Sequence, residues 1–304
     1  MSETKNFLIY KGSGGLFHNL SGLTYAINIA KNNNLILIID MFSHIRKQNK
    51  PEMNFSDFFI IDDDKNLNYY TNYNILPKDI RFKGLSYNEI ININTNKMIG
   101  NTYYYNDINL SNPIINENAS SVNILCGFFG RNLNSNIKIN NDIYNLLKKE
   151  ENINEPYISI HFRNTDMKHD IKYFITRIKN LMNTKNLMNT KNIMNTKNIM
   201  NKTKINLLYL ATDDYYAFDI IKKEIPSLNI IRKTFPDKDI HNLHYTSEDK
   251  KKQMYECIRD VYYILKSTYF IPSLRSAYSH ACLKMIKEKK YIIPDFQSKT
   301  IIYT

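Results

Sequence analysis

The sequence has no apolar run that approaches the roughly 20 residues a helix needs to cross a bilayer. Its first residues, "MSETKN", are polar and lack the basic and then apolar layout of a secretory signal. Cysteine is scarce, and Cys126, Cys257 and Cys282 are so far apart that neither a disulfide framework nor a zinc site is indicated. We therefore expect a soluble protein of a reducing, cytoplasmic compartment, with no transmembrane segment.

Acidic residues are too few to balance the basic ones, and the formal net charge is +12. Basic proteins bind nucleic acid, membrane surfaces or small anions. The lysines, however, are spread along the chain among abundant Asn, Ile and Tyr, a composition typical of an AT-rich genome. The sequence also has no zinc finger, RNP-type aromatic signature or concentrated basic arm. We predict no nucleic-acid partner, whereas a phosphate-bearing substrate is compatible with the charge.

Short apolar segments alternate with helical segments along most of the 304 residues. This alternation predicts an α/β protein whose parallel sheets are wrapped by helices. The chain is long enough for two domains, and the polar segment "KKEENINEP" predicts a boundary that separates residues 1–152 from 153–304. The predicted strands are 7–10, 35–39, 157–162, 206–211, 228–231 and 269–271, and helices are predicted near 19–32, from about 170, and near 214–224, 249–266 and 277–289.

A hexamer repeat, "NLMNTK NLMNTK NIMNTK NIMNKT", covers residues 180–203. Six residues advance about 600° around a helix, so successive Leu and Ile side chains point in different directions and form no apolar stripe. The segment is also far too short for a solenoid. We interpret it as a mobile insertion between a helix and the next strand.

The stretch "YISIHFRNTDMKHD" (157–170) begins as an apolar strand and ends in charged residues. Strand alternation places Ile158, Ile160 and Phe162 on one face and His161 and Arg163 on the other. Because ligands of open parallel sheets bind beyond the carboxyl ends of the strands, this position suits an anion site. Arg163 has the planar fork that grips a phosphate, and His161 can hydrogen-bond a base or a ribose. A surface Arg–Asp ion pair with a hydrogen-bonded histidine behind it explains the same pattern equally well.

Two later segments repeat this layout. Asp213 and Asp214 follow a strand and open a helix, where acidic residues are also favourable for the helix dipole alone. Asp260 lies off the apolar stripe of its predicted helix and is expected to face water or a cleft. Four residues, Arg275, Ser276, Tyr278 and Ser279, fall where the last helix begins, a position whose free N–H groups suit a phosphate. Ser276 or Ser279 can equally be a helix cap.

Together these segments resemble the GDP-fucose-dependent fucosyltransferases, a superfamily of α1,6-, α1,2- and protein O-fucosyltransferases and bacterial nodulation fucosyltransferases. "HFRNTD" resembles their His-x-Arg-Arg-x-Asp motif, "LATDD" resembles their second motif, and "RDVYYILKSTYFIPSLRSAYS" resembles the third. "GSGGLFHNLSGLTYAINIA" is similar to the glycine-rich turn that opens their first domain. The resemblance extends over nearly the whole chain except for residues 60–140 and the repeat.

The resemblance implies a GT-B fold, in which two Rossmann-like domains face a cleft and the second holds most of the donor nucleotide. It implies that the chain transfers fucose from GDP-fucose to a glycan or protein acceptor with inversion, with no cofactor and no metal ion. Arg163 would contact the β-phosphate of the donor, and His161 and Asp260 would bind guanine. Gly14 and Gly15 would lie beside the diphosphate, and Ser276 would bind a phosphate. Asp213 and Asp214 would support the motif loop. Asn19 and Tyr278 are the other implied donor-binding residues.

The sequence departs from the family pattern near the acceptor. The second arginine of the first motif is Asn164 here, an acidic residue that some members use near the acceptor hydroxyl is Ile171, and a nearby lysine is Met167. We predict that Asp170 is the catalytic base, with Asp166 and His169 as the alternatives.

Three competing interpretations remain open. A metal-dependent glycosyltransferase would need an Asp-x-Asp pair, which Asp62 and Asp64 supply, although an acidic surface turn explains them as well. A dinucleotide-binding oxidoreductase is suggested by "GSGG" and by Asp40 after the next strand, but Phe17 occupies the third glycine position of that motif. A degenerate transferase that binds the nucleotide sugar without turnover is the third interpretation.

Overall fold

A computed structural model describes most of the chain and shows two compact units, which we call unit 1 and unit 2. Unit 1 comprises Met1–Lys148, Asp249–Tyr255 and Lys290–Phe296, and unit 2 comprises Lys149–Glu248, Glu256–Lys289 and Gln297–Thr304. The residues whose structure is described are 5–12, 15–42, 53–62, 67–71, 119–126, 136–164, 169–183, 205–236, 249–294 and 296–303. Within this part of the chain, no helix is both long and apolar enough to cross a membrane.

Unit 1 contains a four-stranded parallel sheet of strand order β4-β2-β1-β5 and a separate antiparallel pair, β3 and β6. A single 3₁₀ turn, Phe55–Asp57, precedes β3. Its elements in chain order are β1 (Lys5–Lys11), α1 (Leu16–Asn32), β2 (Ile36–Asp40), β3 (Phe59–Ile61), β4 (Tyr69–Tyr70), β5 (Ala119–Cys126), β6 (Ile137–Ile139) and α2 (Asn141–Glu150).

The start of unit 1 matches the predicted strand and helix. The turn between β1 and α1 requires glycine at position 12, because a Cβ there would lie 1.8 Å from the carbonyl oxygen of Met41. The antiparallel β3–β6 pair was not predicted. Each of these strands has three residues, which is too short for hydrophobic alternation to be recognised.

Unit 2 contains a five-stranded sheet of order β11-β10-β7-β8-β9 in which every neighbouring pair is parallel. The α/β class with parallel sheets, predicted from the sequence, is confirmed. The elements of unit 2 are β7 (Ile158–Phe162), α3 (Ile171–Met182), β8 (Leu207–Thr212), α4 (Ala217–Glu224), β9 (Asn229–Ile231), α5 (Lys250–Lys266, whose first turns belong to unit 1), β10 (Tyr269–Ile271), α6 (Ala277–Glu288) and β11 (Ile301–Ile302).

The central strands β7 and β8 are buried along their whole length. One face of β7, formed by Ile158, Ile160 and Phe162, packs in the core that includes residues of α3 and α4. The opposite face is also covered, and Ser159 Oγ lies 2.7 Å from Ser267 Oγ. Because the parallel sheet is covered on both faces, the sequences of these strands are nearly continuous apolar runs.

Helix α3 includes the first residues of the hexamer repeat. Its buried side chains follow the spacing of an amphipathic helix, and the series ends with Leu181 and Met182 of the repeat. The rest of the repeat, from residue 184 onward, lies outside the described residues, so its interpretation as a mobile insertion stays a prediction.

Candidate active site

Three loops of unit 2 meet at the carboxyl edge of its sheet. The register pairs Phe162 at the end of β7 with Thr212 at the end of β8, and Ile160 with Ile271 at the end of β10. The chain therefore leaves these neighbouring strands on the same edge, which is the usual ligand side of an open parallel sheet. His161, Arg163, Asp213, Asp214, Ser276, Tyr278 and Asp260, all predicted site residues, lie in unit 2 on or near these elements.

The loop after β7 is held by the two aspartates that follow β8. Arg163 Nε lies 3.8 Å from Asp213 Oδ2, and both side chains are mostly buried. The backbone amide of Asn164 donates to Asp213 Oδ1 at 2.9 Å, and its side-chain amide donates to Asp214 Oδ2 at 2.6 Å. The other oxygen of Asp214 accepts from the amides of Tyr216 and Ala217, where α4 begins. These contacts fix the position from which the Arg163 guanidinium projects.

Ser273, which was not predicted, connects the same loop to the chain beyond β10. Its hydroxyl donates to the carbonyl oxygen of His161 at 2.6 Å and accepts from the backbone amide of Arg163 at 3.3 Å. Its own backbone amide donates to Ser279 Oγ at 3.0 Å. Ser273 lies within the third motif, but its role could not be predicted because its contacts arise only when β7 and β10 become neighbours.

His161 is buried and its ring is held on two sides. Nδ1 lies 2.8 Å from Ser279 Oγ, and the ring stacks on Tyr278 with centroids 4.5 Å apart. The hydroxyl of Tyr278 donates to the carbonyl oxygen of Cys257, and burial together with the Asp260 carboxylate raises the pKa of Tyr278. Tyr278 thus supports the imidazole of His161 with its ring while its hydroxyl is engaged inside unit 2.

Asp260 does not face water, contrary to the expectation from the apolar stripe of α5. Tyr209 donates to Asp260 Oδ1 at 2.7 Å, and the hydroxyl of Thr234 lies 3.3 Å from Oδ2. Burial raises the pKa of Asp260 to about 7, although these hydrogen bonds and the guanidinium of Arg259 oppose the shift. Exposure to water, one of the two expected environments, was wrong because α5 is covered on nearly all sides between Ile258 and Leu265. An apolar stripe indicates the water-facing side only of a helix that is buried on one side.

Ser276 is fully buried and caps α6. Its side chain accepts from the backbone amide of Ser279. The helix-cap alternative therefore describes its contacts, and a phosphate contact stays a prediction.

The residues near the predicted base occupy different environments. Asp170 is the N-cap of α3, where its exposed carboxylate accepts from the amide of Lys172 at 2.9 Å. His169 precedes it, with Nε2 buried and without a hydrogen-bond partner among the described residues. Burial lowers the pKa of His169, the Arg275 guanidinium lowers it further, and the Asp213 carboxylate opposes them. Asp166 lies outside the described residues.

The remaining predicted residues belong to unit 1. Gly15 is the N-cap of α1, Asn19 is buried in the first turns of that helix, and the Tyr10 hydroxyl donates to the carbonyl oxygen of Asn19. Asp62 follows β3, and its backbone amide donates to the carbonyl oxygen of Asn136, the residue before β6. Gly14 and Asp64 lie outside the described residues. Among the residues that are described, no three His, Cys, Asp or Glu side chains group so that they could hold a metal ion.

Comparison with known proteins gives no matching family model and no matching curated protein. Solved structures do match. POFUT1 in complex with GDP is similar with a TM-score of 0.55 and 11% identity, over 100% of this chain and 99% of that chain. POFUT1 in complex with GDP-fucose has a TM-score of 0.53 and 11% identity, over 98% of each chain. Fucosyltransferase NodZ from Bradyrhizobium has a TM-score of 0.48 and 16% identity, over 91% of this chain and 92% of that chain. The two POFUT1 structures thus share the α/β fold of this chain, as the resemblance of the motifs led us to expect.

Proposed function

We propose that this chain is a glycosyltransferase that transfers fucose from GDP-fucose to a glycan or protein acceptor with inversion. The observation that carries the proposal is the fixed position of Arg163, at the carboxyl edge of the unit 2 sheet and between loops that follow three neighbouring strands. This edge is where an α/β sheet binds ligands. The likeness to POFUT1, whose solved complexes contain GDP and GDP-fucose, supports the choice of nucleotide.

The fold proposal is a GT-B arrangement. The two domains would be residues 1–152, Rossmann-like and on the acceptor side, and residues 153–304, which bind the donor. Each unit contains a parallel sheet with helices, as this arrangement requires. The chain would act in the cytoplasm.

The donor would lie against unit 2 with its diphosphate at Arg163. His161 and Asp260 would bind guanine, and Ser276, at the start of α6, would contribute to phosphate binding. A helix N-terminus offers unpaired N–H groups and a positive dipole end to a phosphate. Asp213 and Asp214 would hold the motif loop, and Tyr278 would support the His161 ring. Gly14, Gly15 and Asn19 would complete the site around the diphosphate.

In the proposed reaction the acceptor hydroxyl oxygen attacks the anomeric carbon of fucose from the face opposite the diphosphate. A bond from this oxygen to the anomeric carbon forms as the bond to the β-phosphate oxygen breaks, and GDP leaves with the electron pair. Negative charge therefore grows on the β-phosphate, where the guanidinium of Arg163 would stabilise it without reorganisation.

The proton of the acceptor hydroxyl would pass to a carboxylate. Asp170 is the proposed base and Asp166 the alternative. The carboxylate of Asp170 is exposed and, among the described residues, accepts one hydrogen bond, at Oδ1 from the backbone amide of Lys172. Oδ2 is therefore the oxygen proposed to take the proton.

Two alternatives make different predictions. A metal-dependent transferase that uses Asp62 and Asp64 would lose turnover in excess chelator. The proposed reaction would keep its turnover, because the guanidinium of Arg163 would stabilise the charge that grows on the leaving diphosphate. A degenerate nucleotide-sugar-binding protein would bind GDP-fucose and release no GDP from it.

A thermal shift screen with GDP, UDP, CMP and NADH tests the proposal, since a ligand that binds only the folded state raises its stability. We expect GDP to raise the melting temperature most. Stabilisation by UDP and not by GDP would contradict the donor assignment, and stabilisation by NADH alone would favour the oxidoreductase.

A further inference from the structure

A second arginine belongs to the same edge of the sheet. Arg275 lies in the loop that joins β10 to α6, two residues after Ser273 and directly before the N-cap Ser276. Its side chain is exposed. Among the described residues, it has no hydrogen-bond or ion-pair partner. Arg275 therefore combines an accessible guanidinium with a position beside the amino end of a 12-residue helix.

The loop of Arg275 is joined directly to the loop of Arg163. Strands β10 and β7 are parallel neighbours, and the hydroxyl of Ser273 accepts from the backbone amide of Arg163 while donating to His161. The two arginines thus leave adjacent strands at the same edge, on loops that share a hydrogen-bonded serine.

His169 gives an independent indication that the two arginines approach one region. The guanidinium of Arg275 lowers the pKa of His169, whereas the carboxylate of Asp213 raises it. Asp213 is also the ion-pair partner of Arg163. Coulomb interactions weaken with distance and are screened over about 10 Å in solution, so a charge that shifts this pKa lies in the neighbourhood of His169. Arg275 and Asp213, the partner of Arg163, therefore both lie near His169.

With asparagine at position 164, Arg163 is the only arginine or lysine in the segment "HFRNTD". The side-chain amide of Asn164 donates to Asp214 Oδ2 at 2.6 Å and thereby holds the loop. A nucleoside diphosphate carries more negative charge than one guanidinium can neutralise, and two convergent cations raise both its affinity and its selection over an uncharged nucleoside.

We propose that Arg275 is a second cationic contact for the donor diphosphate and supplies from the loop after β10 the charge that position 164 does not. This inference rests on the proposed function. It assigns Arg275 to recognition of the diphosphate rather than of the guanine base.

Titration calorimetry with GDP and with guanosine tests the assignment. Arg275→Ala should weaken GDP binding about tenfold, as expected for loss of one charge-assisted contact, and should leave guanosine binding unchanged. The difference should shrink at high salt, since accessible charges are screened. Lys287→Ala, which removes an exposed cation from the last turn of the same helix, is the matched control and should leave both affinities unchanged.

The outcomes separate the inference from the proposed function. If the wild type binds GDP and Arg275→Ala binds it equally well, the assignment of Arg275 is wrong and the proposed function stands. An equal loss of GDP and guanosine affinity would also overturn the assignment, because it would reveal a general disturbance of the site. If the wild type does not bind GDP, the proposed function fails and the inference fails with it.

Discussion

Arg163 and Asp213 leave adjacent parallel strands and lie with Nε and Oδ2 3.8 Å apart. Asp213 also accepts the backbone amide of Asn164, so one carboxylate orients both the guanidinium and the loop that carries it. A guanidinium held in advance stabilises developing charge better than one that must be ordered during the reaction. From the sequence, an Arg–Asp ion pair was an alternative to an anion site. The Arg163–Asp213 pair is compatible with an anion site, because it orients the guanidinium.

Arg163→Ala should reduce GDP release from GDP-fucose by at least about 100-fold, because a preorganised donor aimed at developing charge contributes roughly 3–4 kcal/mol. Arg163→Lys should restore little, since an ammonium lacks the planar fork. Steady-state measurement of released GDP checks both variants. Lys179→Ala, which removes an exposed cation paired with Glu224, should keep normal turnover. Near-normal turnover of Arg163→Ala would reduce Arg163 to an ordinary ion-pair residue.

Asp170→Asn separates the two roles of that side chain. Asn and Asp are about equally good N-caps, so the variant should keep the free energy of unfolding within about 0.5 kcal/mol of the wild type. Loss of a general base should still lower turnover about 10²–10⁴-fold. Urea denaturation and GDP release measure the two effects. If Asp170→Asn kept full turnover, its carboxylate would be a helix cap and the base would lie elsewhere.

Asp214→Ala should destabilise unit 2. The substitution removes three hydrogen bonds, from the Asn164 side chain and from the amides of Tyr216 and Ala217. We expect a loss of about 2 kcal/mol or more, measured by urea denaturation, because partly buried donors lose their partner. Asp219→Ala, an exposed change in the first turn of the same helix, should cost less than about 0.5 kcal/mol. Equal effects of the two variants would show that Asp214 does not hold the loop.

Asp260 should make stability depend on pH. Its folded-state pKa of about 7 exceeds the ordinary value of 3.8, so between these values the folded protein keeps a proton that the unfolded chain has released. The contribution of Asp260 to the free energy of unfolding therefore falls as pH rises through this window and is constant above it. Asp260→Asn, which resembles the protonated acid, should gain stability relative to the wild type by on the order of 2 kcal/mol between pH 5 and pH 8.

Denaturant unfolding of both proteins at the two pH values checks this prediction. Tyr209→Phe provides a second variant, because it removes the 2.7 Å hydrogen bond that stabilises the ionised carboxylate and should raise the pKa of Asp260 further. A difference between wild type and Asp260→Asn that stays the same at pH 5 and pH 8 would show that Asp260 does not titrate in this range.

Sequence patterns were sufficient for the parts of the fold that depend on local periodicity. The apolar run at β7 predicted a covered parallel strand, and the parallel-sheet rule then predicted that Arg163 would project from the ligand edge. The contacts of Ser273 could not be found in this way, because they depend on β10 packing beside β7 although more than 100 residues separate the two strands. Arg275 was predicted at the start of the last helix, but its place beside the loop of Arg163 depends on the same packing. Asp260 was misplaced because a helix covered on all sides carries no informative stripe.

Titration calorimetry of GDP and UDP into the wild type and Arg163→Ala tests the central claim most directly. The comparison of the two nucleotides tests which base is bound, and the comparison of the two proteins tests whether Arg163 contacts the diphosphate. We predict saturable binding of GDP to the wild type, markedly weaker binding of UDP, and at least about tenfold weaker GDP binding to Arg163→Ala. Equal GDP affinity of the two proteins, or a preference of the wild type for UDP, would contradict the account.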